Sequence, residues 1–386
     1  MMLNPQTHIC LISAQPVPNL IPAVDRKMQP RRIIQVVSPD MEARARLLKD
    51  VLKGRGIRVE QWSVDDAWDI EHLQQRMLEL IEREFEIVPD GGIALNATGG
   101  TKLMSLAAYE SCRLYKMPIF YVHPEKDRII WLYPEKRAAI DLDDRLKLDP
   151  FLQAHGARVS QEKPPQRNIP DKRYLEVAHE IIASIERFSQ SLRTLNWLAG
   201  SASKQLISDE LRNDRGPLAE LIDQFESHDF LRRDSGCLRF PDEEARFFVN
   251  GGWLEYLVFD AVRQIRQHDP HIQDIARSVN VERQRDKKSV RNELDVAFLR
   301  NNRLHIIECK TRQFKGQDED SHGAGTLYKL KSLKELMGGL QARTMVVTFH
   351  DFKTADHSRA KEMGIAVCAG TQLKDLQTHL QDFISA

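Results

Sequence analysis

Two carboxylates and a lysine carry the clearest chemistry in this sequence. Glu308-Cys309-Lys310 closes the apolar run Leu304-His305-Ile306-Ile307, and Asp295 opens the run Val296-Ala297-Phe298-Leu299, 13 residues before Glu308. A polar turn with Asn301 and Asn302 lies between them, so 293–311 reads as a β-hairpin. Side chains alternate along a strand, so Glu308 and Lys310 share one face and Cys309 takes the other. An antiparallel partner brings Asp295 back to the same end. Two hard oxygen ligands suit Mg²⁺ or Mn²⁺. An adjacent ammonium orients a water or offsets charge growing on a phosphate. An acid–x–lysine string alone is often a surface salt bridge. Here Ile306-Ile307 directly precedes Glu308, Asp295 stands at the mouth of the partner strand, and Glu255 lies upstream among Trp253, Leu254, Leu257, Val258 and Val262. From Arg277 to Lys315, 11 Lys or Arg face 5 Asp or Glu, a basic collar suited to a phosphodiester.

A second stretch, Asn96-Ala97-Thr98-Gly99-Gly100-Thr101-Lys102, sits where a strand ends and a helix begins. Glycines let the backbone approach a ligand, and free helix N–H groups bind anions. Thr98, Thr101 and Lys102 add donors. The spacing is neither a P-loop nor a dinucleotide fingerprint. A phosphate-bearing ligand is expected here, against the plainer reading of a tight turn with a threonine cap.

The elements that must position these groups alternate. Strands are expected at 8–13, 33–37, 57–62, 92–96, 118–122 and 128–133, with helices at 40–53, 69–86 and 102–115, which makes a doubly wound α/β sheet. A polar, proline-bearing loop with Gln15, Pro16 and Asn19 is expected after the first strand. Residues 150–172, with Pro150, Pro164, Pro165 and Pro170, read as a linker. Helices at 174–198 and 218–225 and a hairpin at 228–240 resemble a winged helix, either a nucleic-acid contact or a spacer. A helix at 246–266, the hairpin, a mobile loop at 313–325, a lysine-bearing helix at 327–340, strands at 345–349 and 365–368 with a helix between them, and a last helix from about Thr371 make a second α/β domain. The expected domains are 1–150, 151–245 and 246–386.

The composition is ordinary: 386 residues, 41% hydrophobic and 29% charged, with 56 basic and 56 acidic residues. Zero net charge speaks against coating duplex DNA by bulk charge, though not against a local basic site. No apolar run is long enough to span a membrane, and the N-terminus shows no secretory pattern. Five scattered cysteines without a Cys-x-x-Cys pair argue against a disulfide framework or a zinc site, so a cytoplasmic location is expected.

Two families are recognisable from these residues. The C-terminal third resembles the PD-(D/E)xK restriction-endonuclease-like fold through Glu255, Asp295 and Glu308-Cys309-Lys310, with Leu294 where a proline often precedes the aspartate. The first 150 residues resemble a CARF domain, the Rossmann-like sensor of cyclic oligoadenylate. Its ligand loop would be Thr98-Gly99-Gly100-Thr101-Lys102 with Asn96, joined by Ser13, Gln15 and Asn19. Together they look like type III CRISPR ancillary nucleases. The resemblance implies a homodimer that binds cyclic tetra-adenylate across its two-fold axis. It also implies an allosterically activated, metal-dependent endonuclease for antiviral defence, cleaving DNA, RNA or both, single strands favoured. Asp295 and Glu308 would hold Mn²⁺ or Mg²⁺ with the Cys309 carbonyl, Lys310 would act on water and phosphate, and Glu255 would assist the metal. Two other readings remain at this point: a nucleotide-sensing transcription regulator with a degenerate nuclease domain, and a nuclease outside CRISPR whose sensor takes another nucleotide.

Overall fold

In the computed structural model, the described residues are 5–87, 92–123, 125–285, 288–312 and 322–385. The first unit runs β1 (Thr7–Leu11), α1 (Val17–Val24), β2 (Arg32–Val37), α2 (Glu42–Lys53), β3 (Arg58–Ser63), α3 (Ile70–Ile87), β4 (Ile93–Asn96), α4 (Lys102–Leu114), β5 (Ile119–His123), β6 (Arg128–Tyr133) and β7 (Ile140–Asp141). Its sheet has the order β3-β2-β1-β4-β5-β6-β7. The first five strands pair in parallel, and β6 and β7 are antiparallel. β1 and β4 are buried throughout, as strands covered on both faces must be. Strand order reverses between β1 and β4, so the loops leaving them flank the crevice where open α/β sheets take ligands.

The expected loop at 14–19 is in part a helix. Pro16 immediately precedes α1 and Pro18 lies in its first turn, where a missing N–H costs nothing.

The next elements are α5 (Leu148–Ala154), β8 (Ala157–Val159), α6 (Lys172–Ala183), α7 (Ile185–Ser201), α8 (Pro217–Ser227), β9 (Arg232–Asp234) and β10 (Cys237–Arg239). Two expectations need correction. The helix expected over 174–198 breaks at Ser184, giving α6 and α7. The expected linker is partly structured: α5 packs on α2, and β8 pairs antiparallel with a strand of the C-terminal sheet. No local pattern in Ala157-Arg158-Val159 announces this, because a three-residue edge strand is set by its partner.

The last unit holds α9 (Glu243–Phe247), α10 (Trp253–Arg266), β11 (Ile272–Arg285), β12 (Lys288–Arg300), β13 (Arg303–Lys310), α11 (His322–Met337), β14 (Arg343–Thr348), α12 (Thr354–Glu362), β15 (Ile365–Ala369) and α13 (Leu376–Ser385). Its sheet order is β15-β14-β13-β12-β11-β8. The helix expected over 246–266 is interrupted by a wide turn at Phe248–Gly252, where Gly251 has φ +105°. Of the loop expected at 313–325, residues 313–321 lie outside the described residues, and α11 begins at His322. No described helix is long and apolar enough to cross a membrane.

The middle helices share a core with the C-terminal unit. Tyr174 of α6 stacks on Tyr256 of α10 at 4.7 Å between ring centroids, and Phe225, Phe230 and Phe248 surround the pair. A second core runs from the first unit into the C-terminal sheet. Cys10, Leu20, Ile33 and Leu48 join Phe151 of α5, Leu294 and Leu304 of the hairpin, and Leu327, Leu330 and Leu333 of α11. The site-bearing hairpin is therefore packed against both other units.

Candidate active site

The Asn301-Asn302 turn sets the register of the hairpin. Both residues have positive φ, +48° and +54°, as a two-residue hairpin turn of matching twist requires. The ladder runs from Arg300↔Arg303 to Val296↔Ile307. One further step puts Asp295 beside Glu308. The Cys309 N–H donates to Asp295 Oδ2 at 2.7 Å. Lys310 Nζ lies 2.6 Å from Glu308 Oε1 and 3.9 Å from Asp295 Oδ2. The structure thus brings together the three groups expected at this sheet edge. The Cys309 thiol faces the opposite core, as alternation requires.

Glu308 is 1% exposed, yet two ammonium groups reach Oε1: Lys310, and Lys329 of α11 at 3.0 Å. Its Oε2 is buried and has no hydrogen-bond partner among the described residues. Burial and the neighbouring Glu308 charge push the Asp295 carboxyl up to about 7, against the pull of Lys310 and the Cys309 N–H. Glu255 approaches from α10. Burial, then the charges of Asp295 and Glu293, raise its carboxyl well above the usual range, while Ser278 Oγ donates to its Oε2 at 3.3 Å. Ser278 lies on β11 between the pairs Arg277↔Val296 and Val279↔Leu294, so it faces Asp295 across the ladder, in the left-handed region at φ +51°. Burial alone would lower the Lys310 ammonium, but Asp295 and Glu308 hold it above its ordinary value.

This donor set fits a hard divalent cation. Even with Lys310 and Lys329 beside them, the crowded, buried carboxylates keep one Glu308 oxygen without a partner among the described residues, and a cation held by two carboxylates plus water and substrate oxygens would meet it. Among the described residues no group of three His, Cys, Asp or Glu is close enough to make an all-protein cage.

Sequence reasoning missed Lys329, Ser278 and the bracing of Thr311. Asn196 Nδ2 of α7 donates to Thr311 Oγ1 at 3.2 Å. The Thr311 hydroxyl fills the space where a side chain at Gly251 would sit, so only glycine fits before α10. The Gly251-Gly252 pair was the one available signal.

At the sensor crevice, Thr101 caps α4 by accepting from Met104 N at 3.1 Å, and Lys102 is exposed in the first turn. A Cβ at Gly99 would collide with the Leu11 carbonyl, so this glycine lets the loop lie on β1. Thr98 Oγ1 donates to Asn96 Oδ1 at 2.6 Å and accepts from Val122 N. Asn19 and Asn96 are buried, and their amides bond to each other, to Pro18 O and to Leu11 O. These bonds tie the loop that holds Thr98 to Lys102 to the end of β1 and to the first turn of α1. Ser13 and Gln15 are half-buried on the β1 exit.

The Card1 CARF domain family matches residues 7–151, and the Card1-like endonuclease domain family matches residues 242–386. No curated protein matches the chain. Among solved structures, protein VC1899 from Vibrio cholerae is 35% identical, covering 98% of this chain and 98% of that one, with a TM-score of 0.88. Can2 from Sulfobacillus thermosulfidooxidans, solved in complex with cyclic tetra-adenylate, is 27% identical over 98% of this chain and 99% of that one, with a TM-score of 0.80. A type III CRISPR defence DNA nuclease activated by cyclic oligoadenylate shares the fold at 16% identity, over 98% of this chain and 51% of that one, with a TM-score of 0.59. With a Card1 CARF domain ahead of a Card1-like endonuclease domain, and a full-length relative at 35% identity, this chain belongs to the Card1-like family.

Proposed function

We propose that this chain is a cyclic tetra-adenylate-activated, divalent-metal-dependent endonuclease of type III CRISPR defence, working as a homodimer. The observation that carries the catalytic part is Asp295 beside Glu308, with Lys310 between them and Glu308 Oε2 unpartnered. Asp295 and Glu308 would hold Mg²⁺ or Mn²⁺, with Glu255 and the Cys309 carbonyl assisting. When bound, the cation supplies an acidified water and charge neutralisation at the phosphate. Lys310 stays charged well above neutral pH, so it donates to the attacking water and the phosphate and does not accept a proton. Lys329 also reaches Glu308 Oε1, so both ammonium groups meet one oxygen and Oε2 is left without a partner among the described residues. A transcription regulator has no use for this arrangement.

The activator reading rests on the switch-point crevice, the capped N-terminus of α4 with Lys102 exposed, and the likeness to Can2, which was solved with cyclic tetra-adenylate. A two-fold ring would meet the same crevice of each protomer. Activation requires that the ligand bind the active arrangement more tightly than the idle one. The test is one panel of labelled single- and double-stranded DNA and RNA, with and without cyclic tetra-adenylate and Mn²⁺. The expected result is cleavage that needs both additions and is lost in Glu308→Ala and Lys310→Ala. Cleavage persisting in both variants would overturn the site. Equal activation by other cyclic nucleotides would overturn the ligand.

A further inference from the structure

A cleft of about 1060 Å³ runs along α7 beside the candidate active site. One wall is a stripe of α7, with Gln190, Arg193, Trp197 and Ser201 spaced to share a helix face. The other wall includes Arg312, two residues after Lys310 and braced by Asn250 Oδ1 at 3.4 Å. Trp197 is 59% exposed, an unusual position for the largest apolar side chain on a helix whose other large apolar residues are buried. Asn196 is 4% exposed and also lines the cleft. Its Nδ2 is spent on Thr311, so its Oδ1 is left as a buried acceptor without a partner among the described residues. A buried acceptor with nothing to accept from costs stability unless a ligand donor arrives.

We propose that this cleft is a strand-holding subsite that binds unpaired nucleotides next to the scissile phosphate. Trp197 stacks on a base, Arg193 and Arg312 take flanking phosphates, and Asn196 Oδ1 accepts from a base amine or a ribose hydroxyl. Three features select this occupant. An indole face stacks only on a base that is out of a duplex. The named charges of the cleft are guanidinium groups, the partners of phosphate. The Thr311 bridge joins the cleft to the residue that follows Lys310 at the end of the site strand, so a strand held here lies next to the end that carries the carboxylates. The proposal rests on the nuclease reading, because the cleft matters to catalysis only if the sheet edge cleaves.

The test uses the full-length chain, with Glu308→Ala as background for binding and the wild type for cleavage. The binding probes are fluorescent 12-nucleotide single strands of mixed DNA and RNA sequence and the matching duplex. Trp197→Ala is expected to weaken single-strand binding about tenfold, the loss of one stacked base. Trp197→Phe should restore most of it, and duplex binding should stay unchanged. Arg312→Ala should lower the slope of log affinity against log salt by about 0.7. In cleavage, the Trp197→Ala loss should fall on KM and leave kcat largely intact. If the Asn196 donor is a ribose hydroxyl, Asn196→Ala should hurt RNA more than DNA. If it is a base amine, both should suffer equally, and adenine, cytosine and guanine more than thymine or uracil. Unchanged single-strand affinity and KM in Trp197→Ala, alongside normal wild-type cleavage, would overturn the subsite and leave the nuclease standing. Selective Trp197-dependent binding in a wild type that cuts nothing would support the subsite and remove the nuclease reading.

Discussion

Gln15 of the sensor lies against Gly339 of the nuclease domain: a methyl group at Gly339 would collide with the Gln15 carboxamide. Gly339 lies two residues past the end of α11, the helix whose Lys329 grips Glu308. The β1 exit loop, which flanks the sensor crevice, is thus joined through one helix to a carboxylate of the candidate active site. Gly339 also has φ +64°, where a side chain is strained.

Substitution at this junction should uncouple sensing from cleavage. Gly339→Val is expected to lower cleavage at saturating cyclic tetra-adenylate about tenfold, within the range of allosteric coupling. Activator affinity should change far less. Calorimetry on the activator alongside a cleavage time course separates the two, and loss of both in parallel would mean that the junction serves stability only.

The two lysines on Glu308 should differ in weight. Lys310 also faces Asp295, so Lys310→Ala is expected to reduce cleavage by about 10³-fold or more. Lys329→Ala removes one charge-assisted bond of two, and a loss on the order of tenfold is expected. Since Lys329 and a cation compete for the same carboxylate, the Mn²⁺ concentration for half-maximal rate should fall in Lys329→Ala. A titration of rate against Mn²⁺ reads both effects.

The sensor crevice should respond to its exposed lysine. Lys102→Ala is expected to weaken cyclic tetra-adenylate binding about tenfold through loss of a charged contact to phosphate, with an unchanged melting temperature because the side chain is exposed. Isothermal titration and a thermal melt on one preparation test this together.

A pH dependence is built into a further contact between the two units. Asp127, in the β5–β6 turn, accepts from Asn302 Nδ2 in the turn of the site hairpin. Burial raises its carboxyl to about 7, with Asp144 adding to the rise and Asn302 opposing it. The folded state then binds the proton more tightly than the unfolded chain, whose carboxyl titrates near 4. Unfolding releases that proton between about pH 4 and pH 7, so this group's contribution falls as pH rises through that window. Asp127→Asn should remove the fall. Its left-handed φ of +47° suits asparagine. The difference in melting temperature between variant and wild type should grow from pH 4.5 to pH 7.5, and a constant difference would contradict this account.

The hairpin was legible because its information is local. Alternation fixes which side chains share a face, and a two-residue asparagine turn fixes the register, so Asp295, Glu308 and Lys310 converge without any knowledge of the rest. Lys329 was visible only as one of several lysines on a helix, because its approach to Glu308 depends on how α11 crosses the sheet. Ser278 gave no signal either, since its position follows from the β11 ladder. The bond between Asn19 and Asn96 was not legible either, because it depends on how the first turn of α1 meets the end of β4. The linker reading failed at β8 for the same reason that α1 was missed: prolines mark where a chain bends and say little about what it joins once past the bend.

The short strand β8 has a practical consequence for anyone wishing to separate the two halves. It covers part of the outer edge of β11, opposite Val281–Arg283. A fragment starting near residue 172 would uncover these backbone groups and would also lose the α5 side of the second core. An open strand edge beside freshly exposed apolar surface is a template for intermolecular pairing. The nuclease half should therefore precipitate when produced alone, and sensors of this kind cannot be exchanged between chains by cutting at the apparent boundary near residue 150. Grafts that keep residues 148–159 with the nuclease give recombinant chimeras their best prospect of solubility.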